Sequence, residues 1–388
     1  MAVLALPRTL RGGGGTVAET PLVLQSLDLH NPLIVTDPFF ARSGLAERVR
    51  ELLAAAGIAS RTFSDTVPDP TVASIEAACA FLKAGDHDCV IGLGGGSPID
   101  TAKAIAVLAV HGGEMRSYRA PHVQDDAGLP IVAIPTTAGT GSEATRFTIV
   151  TDEANDEKML CAGLAYLPIA ALVDYELTLS MPPRLTADTG VAAITHAIES
   201  YVSRRANPFT DAMALTAMRT LWDNIRVAYT EPGNLAAREK MMLGATQAGI
   251  AFSNSSVALV HGMSRPIGAF FHLAHGLSNA MLLPAVTSFS ADAGTERYAE
   301  CARNLRVAGE GGSDAAAAHA LVDALFRLNA DLAVPGPQRL GIDAARWQAV
   351  TPTMAQQAIA SGSPANNPRV PSASEIETLY RTVWSESL

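Results

Sequence analysis

The length, composition and charge of the chain set the first limits on its architecture and partners. Its 388 residues exceed what one hydrophobic core usually holds, so two domains are expected. Hydrophobic residues make up 48% of the chain and charged residues 17%, which excludes general disorder. The formal net charge is −10, with no basic block. This balance argues against nucleic acid or an anionic membrane surface as a partner.

The cysteines and the N-terminal residues predict a cytoplasmic protein. The four cysteines lie far apart without a Cys-x-x-Cys pair, so we expect neither a disulfide framework nor a thiolate zinc site. The apolar stretch at residues 1–10 is too short for an export signal. Arg8 and Arg11 also follow the apolar residues, whereas the positive charges of an export signal precede them. No run of about 18 apolar residues occurs, so no membrane span is expected.

The first half of the chain alternates short β-rich runs with helical stretches. The runs, in chain order, are residues 33–36, 41–56, 89–93, 99–110 and 131–135. Such alternation predicts an α/β domain with a parallel sheet covered by helices.

The second half changes to long segments of helical period and predicts an all-helical domain. These segments are residues 191–202, 208–228, 235–252 and 315–328. Asn207 before Pro208 predicts a helix cap, and Ser372 with Glu375 predicts a capping box for the last helix. The run Met181-Pro182-Pro183 interrupts regular structure, so we place the domains at 1–183 and 184–388.

A glycine cluster between a buried strand and a helix is a candidate phosphate site. Gly94, Gly95, Gly96 and Ser97 follow the strand at 89–93 and open the next helix. Glycines let backbone N–H groups approach a pyrophosphate, and the helix N-terminus adds partial positive charge. The pattern is neither G-x-G-x-x-G nor a Walker loop. A tight turn without a ligand is the alternative.

A second loop and an aspartate reinforce this interpretation. Thr136, Thr137 and Ser142 lie in a Gly- and Thr-rich loop after the strand at 131–135, where hydroxyls can bond phosphate or ribose oxygens. Asp37 follows the strand at 33–36 and could accept hydrogen bonds from an adenosine ribose while repelling a 2′-phosphate. Its alternative role is a helix cap.

Histidines cluster in the helical half. His196 lies within a predicted helix, and His261, His272 and His275 fall within one short stretch. On one straight helix His261 and His275 would be about 21 Å apart. We expect Pro266 and Gly268 to break that helix, so that both imidazoles converge with His196 on a divalent cation. Each histidine alone would more often be a packed core residue.

Several runs together resemble one known family over nearly the whole chain. They are 94–103 (GGGSPIDTAK), 135–143 (PTTAGTGSE), 174–178 (DYELT), 275–280 (HGLSNA) and 367–369 (NPR). In this order they resemble the iron-containing (group III) alcohol dehydrogenases. The resemblance implies a dehydroquinate-synthase-like fold, with an N-terminal α/β NAD(P)-binding domain and a helical C-terminal metal domain.

The resemblance also implies roles for individual residues. The implied metal ligands are His196, His261 and His275. The resemblance also implies that the protein forms a homodimer. The implied cofactor residues are Asp37, Gly94, Gly95, Gly96, Ser97, Asp100, Thr136, Thr137, Ser142 and Lys158.

Two positions depart from the family pattern. Ala192 stands where members usually have an aspartate, one helical turn before the first metal histidine. Arg265 stands where they often have a histidine that helps relay protons. The missing carboxylate leaves two alternatives open: a metal-independent reductase similar to maleylacetate reductase, and a nucleotide-binding homologue with impaired catalysis.

The sequence therefore predicts an NAD-dependent alcohol dehydrogenase or aldehyde reductase. Hydride would pass between a primary alcohol or hydroxy compound and nicotinamide, with NAD preferred to NADP because of Asp37. Fe²⁺ or Zn²⁺ would assist as a Lewis acid, bound more weakly because of Ala192. His272 is a candidate proton carrier beside the ligands His261 and His275.

Overall fold

The computed structural model describes residues 3–385, which form two compact units. One unit is Val3–Ser180, and the other begins at Met181. Met1, Ala2 and residues 386–388 lie outside the described part. Of the apolar stretch at residues 1–10, the structure therefore describes residues 3–10. Among the described helices, none combines the length and the apolar character that crossing a bilayer requires.

The first unit alternates strands and helices. Its strands are β1 (Thr9–Gly12), β2 (Pro32–Val35), β3 (Arg61–Phe63), β4 (Cys89–Gly94), β5 (Ile131–Pro135), β6 (Phe147–Asp152), β7 (Glu157–Ala162) and β8 (Ala170–Val173). Its helices are α1 (Thr20–Ser26), α2 (Pro38–Arg42), α3 (Leu45–Ala55), α4 (Val72–Lys83) and α5 (Gly96–His111). The predicted α/β architecture is confirmed.

Six strands form one parallel sheet in the order β1-β8-β5-β4-β2-β3. Successive side chains of a strand point to opposite faces, and β4 shows this directly. Val90 packs in one buried cluster, whereas Ile91 and Leu93 pack in the other. Both faces of the sheet are therefore covered, which explains why the central strands are apolar throughout.

The strand order reverses between β2 and β4. The chain moves outward from β2 to β3, returns to β4 on the other side of β2, and continues outward to β5. In open α/β sheets, ligands bind beyond the carboxyl ends of the strands at such a reversal. The strands β2, β4 and β5 are neighbours, so the loops that follow them begin side by side at one edge of the sheet.

An antiparallel hairpin of β6 and β7 was not predicted from the sequence. Buried Lys103 on α5 anchors its start, since the ammonium donates to the backbone oxygens of Thr145 and Phe147 at 2.9 and 2.8 Å. Burial lowers the pKa of Lys103 to about 8. The hairpin alternates buried and half-buried positions, a pattern too weak to separate from loop in the sequence.

The second unit contains helices and loops but no strand among its described residues. Its helices are α6 (Pro183–Val202), α7 (Pro208–Thr230), α8 (Leu235–Ser253), α9 (Leu259–Phe271), α10 (His275–Ser290), α11 (Thr295–Asn304), α12 (Asp314–Asp331), α13 (Ala344–Ala360) and α14 (Ala373–Ser385). Both predicted helix starts are confirmed: Asn207 caps α7, and Ser372 and Glu375 bond reciprocally before α14.

The expected break at Pro266 and Gly268 is wrong. Both residues lie inside α9, which continues to Phe271. A proline removes one backbone donor from a helix, but buried packing on both sides of Pro266 outweighs that loss. The chain turns instead at His272, which adopts the left-handed conformation with φ 54° and ends α9. The imidazoles of His261 and His275 converge because of this later turn.

Replacing Asn207 tests the cap of α7. Its side chain accepts a hydrogen bond from the Thr210 N–H at 3.1 Å. We expect Asn207→Ala to lower the free energy of unfolding by about 1 kcal/mol, and Asn207→Gly by only a few tenths, because glycine is tolerated at the cap. Urea unfolding of the three proteins measures this. Equal losses for Ala and Gly would contradict a capping role.

Candidate nucleotide and metal sites

The glycine loop between β4 and α5 has a shape that requires glycine. Gly94 has φ 149°, and a Cβ there would lie 2.6 Å from Pro98 Cγ. Gly95 precedes α5 and supplies no side-chain hydrogen bond to its first turn. A Cβ on Gly95 would come within 3.3 Å of the Thr137 methyl group, so the two loops lie against each other. Because residues 94–96 have no side chains, the first backbone N–H groups of α5 are not covered by β-carbons of this loop.

Two threonines next to this loop carry buried hydroxyls. Thr36 follows β2, Thr136 follows β5, and both are almost completely buried. Neither hydroxyl oxygen has a hydrogen-bond partner among residues 3–385. Buried polar groups are normally satisfied. Thr36 was missed in the sequence, where its only signal is a polar residue directly after an apolar strand.

Asp37 adopts the capping role that the sequence left open. Its Oδ1 accepts a hydrogen bond from the Phe40 N–H at 2.9 Å and so starts α2. The side chain is half-buried and lies after β2, the neighbour of β4. Capping occupies one carboxylate oxygen in this contact and fixes the side chain at the strand end.

Asp100, Ser142 and Lys158 form internal contacts. The Ser142 hydroxyl donates to Asp100 Oδ1 at 2.7 Å, and the Ile149 N–H donates to Oδ2 at 3.1 Å. Desolvation raises the pKa of Asp100. Lys158 forms an ion pair with Asp69 at 2.8 Å. These residues join the loops around the sheet edge, and Ser97 Oγ adds a hydrogen bond from the Asp69 N–H at 3.2 Å.

Three histidines from three helices converge in the second unit. His196 comes from α6, His261 from the start of α9, and His275 from the first position of α10. One ligand nitrogen from each lies within 4.8 Å of the other two. The rings of His196 and His261 stack with centroids 4.5 Å apart, and those of His261 and His275 lie 5.2 Å apart.

A buried glutamate, missed in the sequence, orients His261. Glu199 accepts the ring N–H of His261 Nδ1 at 2.6 Å and the backbone N–H groups of Ala258 and Val260 at 2.9 and 2.6 Å. This contact selects the tautomer in which His261 Nε2 carries a lone pair. The available signal was a carboxylate three residues after His196 within an apolar helix, which places both on one helix face.

Asn279 lies beside one ring nitrogen of His261 and one of His275. It is fully buried, one turn after His275 on α10. Its Nδ2 lies 3.2 Å from His261 Nε2 and 3.3 Å from His275 Nε2. The other ring nitrogen of His275 lies 3.4 Å from the Ser264 hydroxyl. Both Nε2 atoms therefore face the same small volume.

The three remaining positions of interest have different surroundings. Ala192 is buried one turn before His196 and offers only a methyl group. Arg265 is buried one turn after His261, and its guanidinium donates to Ser363 Oγ at 3.1 Å. Burial lowers the pKa of Arg265 to about 10. His272 is exposed at the end of α9.

Family models match both units. One, for iron-containing alcohol dehydrogenase, matches residues 7–175, and one for the C-terminal part of the same family matches residues 186–384. Lactaldehyde reductase from Escherichia coli (strain K12) is 36% identical over 383 residues, which are 98% of this chain and 99% of its own length. NAD-dependent methanol dehydrogenase from Bacillus methanolicus is 35% identical over 370 residues, 95% of this chain and 96% of its own.

Solved structures agree with these sequence matches. The crystal structure of a 1,3-propanediol oxidoreductase has a TM-score of 0.94 and 32% identity, covering 99% of this chain and all of the other. Sulfoacetaldehyde reductase from Bifidobacterium kashiwanohense, in complex with NAD⁺, has a TM-score of 0.87 and 29% identity, covering 99% of both chains. The resemblance found in the sequence is confirmed. The chain belongs to the iron-containing alcohol dehydrogenase family and is an oxidoreductase that acts on alcohols and aldehydes.

Proposed function

We propose that the protein catalyses reversible hydride transfer between a small primary alcohol, or a related hydroxy compound, and NAD, assisted by a divalent metal ion. The observation that carries this proposal is the convergence of His196, His261 and His275 in a family of alcohol dehydrogenases. Among the related proteins, those named for lactaldehyde, methanol and 1,3-propanediol favour a short substrate, and one named for long-chain alcohols does not.

The chemistry of the donor set fits a divalent metal ion. Imidazole nitrogens are common ligands of Fe²⁺ and Zn²⁺, and Glu199 behaves as the outer carboxylate that commonly orients a ligating histidine. When bound, such an ion polarises the alcohol or carbonyl oxygen as a Lewis acid. The chain contributes the three nitrogens, a fixed tautomer at His261 and a buried setting that strengthens their charge interactions.

Without a carboxylate at position 192, the ligand set is neutral. Three histidines are a known protein ligand set for catalytic zinc, and such sites can expand to five ligands when substrate binds. We therefore propose that Zn²⁺ is bound in preference to Fe²⁺, and more weakly than by a site that includes a carboxylate. The same alanine supports the alternative of a metal-independent reductase.

The edge of the sheet fits a dinucleotide. The buried hydroxyls of Thr36 and Thr136 flank the glycine loop, where a ligand could satisfy them. Residues 94–97 would bind the pyrophosphate through backbone N–H groups, and Asp37 would accept from the ribose. Thr137 would shape the same loop. Asp100, Ser142 and Lys158 would act by holding the loops in position through their internal contacts.

His272 is our candidate for moving a proton between solvent and substrate. Its exposed ring stands three residues before His275, and histidine exchanges protons near neutral pH.

Assembly and location complete the proposal. We propose a homodimer, because β1 is an edge strand whose Leu10 is exposed, and unpaired edges favour pairing with another chain. We propose a cytoplasmic location, because all four cysteines are buried and free.

The direct test follows the absorbance of reduced nicotinamide with a panel of short aldehydes. We expect turnover that chelation abolishes and that added Zn²⁺ or Fe²⁺ restores. His261→Ala should lose activity, whereas replacing the exposed His319 by Ala should not. Full turnover after chelation would instead favour the metal-independent alternative, and the absence of turnover with any aldehyde would contradict the proposal.

Cofactor preference tests the placement of Asp37. Its carboxylate would repel the 2′-phosphate of NADP. The wild type should therefore prefer NAD, and Asp37→Ser should narrow that preference while retaining a helix cap. Comparing kcat/KM for the two cofactors measures this. A wild-type preference for NADP would show that Asp37 does not face the ribose.

Restoring a carboxylate tests the proposed weakness of the metal site. Ala192 lies one turn before His196, so an aspartate there would face the same side of α6. Even changes outside the ligand set cost about 10 to 100-fold in metal affinity, so Ala192→Asp should tighten binding at least that much. Calorimetry with Zn²⁺ measures it. Unchanged affinity would mean that residue 192 does not face the ion.

A further inference from the structure

We propose that Asn279 supplies the fourth ligand of the metal site through its side-chain carbonyl oxygen, in place of the carboxylate that is missing at position 192. The inference rests on the metal site of the proposed function and names a residue within it. Two observations on this buried amide carry the argument, namely its distances to the histidines and its carbonyl oxygen without a hydrogen-bond partner among the described residues.

The distances around Asn279 are those of ligands on a common ion. Ligands bonded at 2.0–2.1 Å to a tetrahedral ion lie about 3.3 to 3.4 Å apart. The Asn279 amide atom lies 3.2 Å from His261 Nε2 and 3.3 Å from His275 Nε2. These distances allow an ion to lie within bonding distance of both nitrogens and of an oxygen at that position.

Both histidines are set to present lone pairs there. The Nδ1–H of His261 donates to Glu199, and Nδ1 of His275 lies 3.4 Å from the Ser264 hydroxyl. The Ser264 hydroxyl donates to the backbone oxygen of His261 at 3.3 Å, so its oxygen is left to accept the Nδ1–H of His275. In that tautomer each Nε2 is an acceptor, and the amide N–H groups of Asn279 occupy the place between them. In this arrangement the amide bonds to the two atoms that would otherwise hold the cation.

The carbonyl oxygen of Asn279 lacks a hydrogen-bond partner among the described residues, although the side chain is fully buried. Leaving a buried acceptor unsatisfied costs about 1–3 kcal/mol. Turning the planar amide by 180° exchanges its nitrogen and oxygen with little change of shape. Because the oxygen has no bond where it stands, the turn breaks none on that side.

Metal binding would drive that turn. A cation repels the amide N–H groups and attracts the carbonyl oxygen, so the ion and the rotated amide stabilise each other. The resulting set of three imidazoles and one amide oxygen is neutral, whereas an aspartate would add a negative charge. Asn279 thus provides an oxygen ligand, but not the negative charge that an aspartate at position 192 would add.

The test measures Co²⁺ binding by calorimetry and by the visible absorption of the bound ion, which depends on ligand number and type. Asn279→Leu should raise the Kd about 10 to 100-fold and change the absorption. Asn279→Asp, which keeps an oxygen and adds charge, should lower the Kd at least tenfold and change the absorption as well. Asn329→Leu is the matched control, because Asn329 Nδ2 donates to the backbone oxygen of Ala280 on α10 and, within residues 3–385, forms no hydrogen bond with the three histidines. It should leave both readouts unchanged.

Wild-type affinity and absorption in Asn279→Leu would overturn the inference while leaving the three-histidine site intact. If that variant does not fold, as thermal unfolding would show, Asn279→Asp decides: an unchanged Kd or an unchanged absorption overturns the proposal. Failure of the wild type to bind Co²⁺ at all would overturn the metal site itself, and with it this inference.

Discussion

The hydrogen bonds of one buried carboxylate link the two helices that carry two of the three clustered histidines. Glu199 on α6 accepts two backbone N–H groups at the start of α9 and the ring N–H of His261. It therefore ties together the two helices that carry His196 and His261 and sets the direction of one lone pair. A buried charge is tolerated only when such bonds satisfy it.

The first unit depends on a different constraint, which is strand order. Because the strand order reverses between β2 and β4, the loops after these strands and after β5 begin side by side. Gly94 then provides the backbone conformation that only glycine adopts easily, and Thr36 and Thr136 leave hydroxyls for a ligand. In the function proposed above, the first unit binds the hydride carrier and the second unit holds the metal ion that polarises the substrate.

Local patterns in the sequence revealed most of the fold and part of the sites. The glycines at 94–96 stand between an apolar run and a helical run, so their loop could be predicted. The convergence of His196, His261 and His275 was also predicted, but for a wrong reason, because Pro266 lies within α9 and the turn comes at His272. Glu199 and Asn279 were missed although each lies within one turn of a clustered histidine, because the contact that each makes with His261 spans 62 and 18 residues and no local pattern encodes it.

The central claim is that three histidines and an amide oxygen bind one cation. It is tested most directly by anomalous diffraction at the zinc absorption edge, using crystals of the wild-type protein grown with Zn²⁺. We expect a single strong peak within bonding distance of His196, His261 and His275, with the Asn279 oxygen turned toward it at about 2.0–2.2 Å. A peak elsewhere, or none beside these nitrogens, would contradict it.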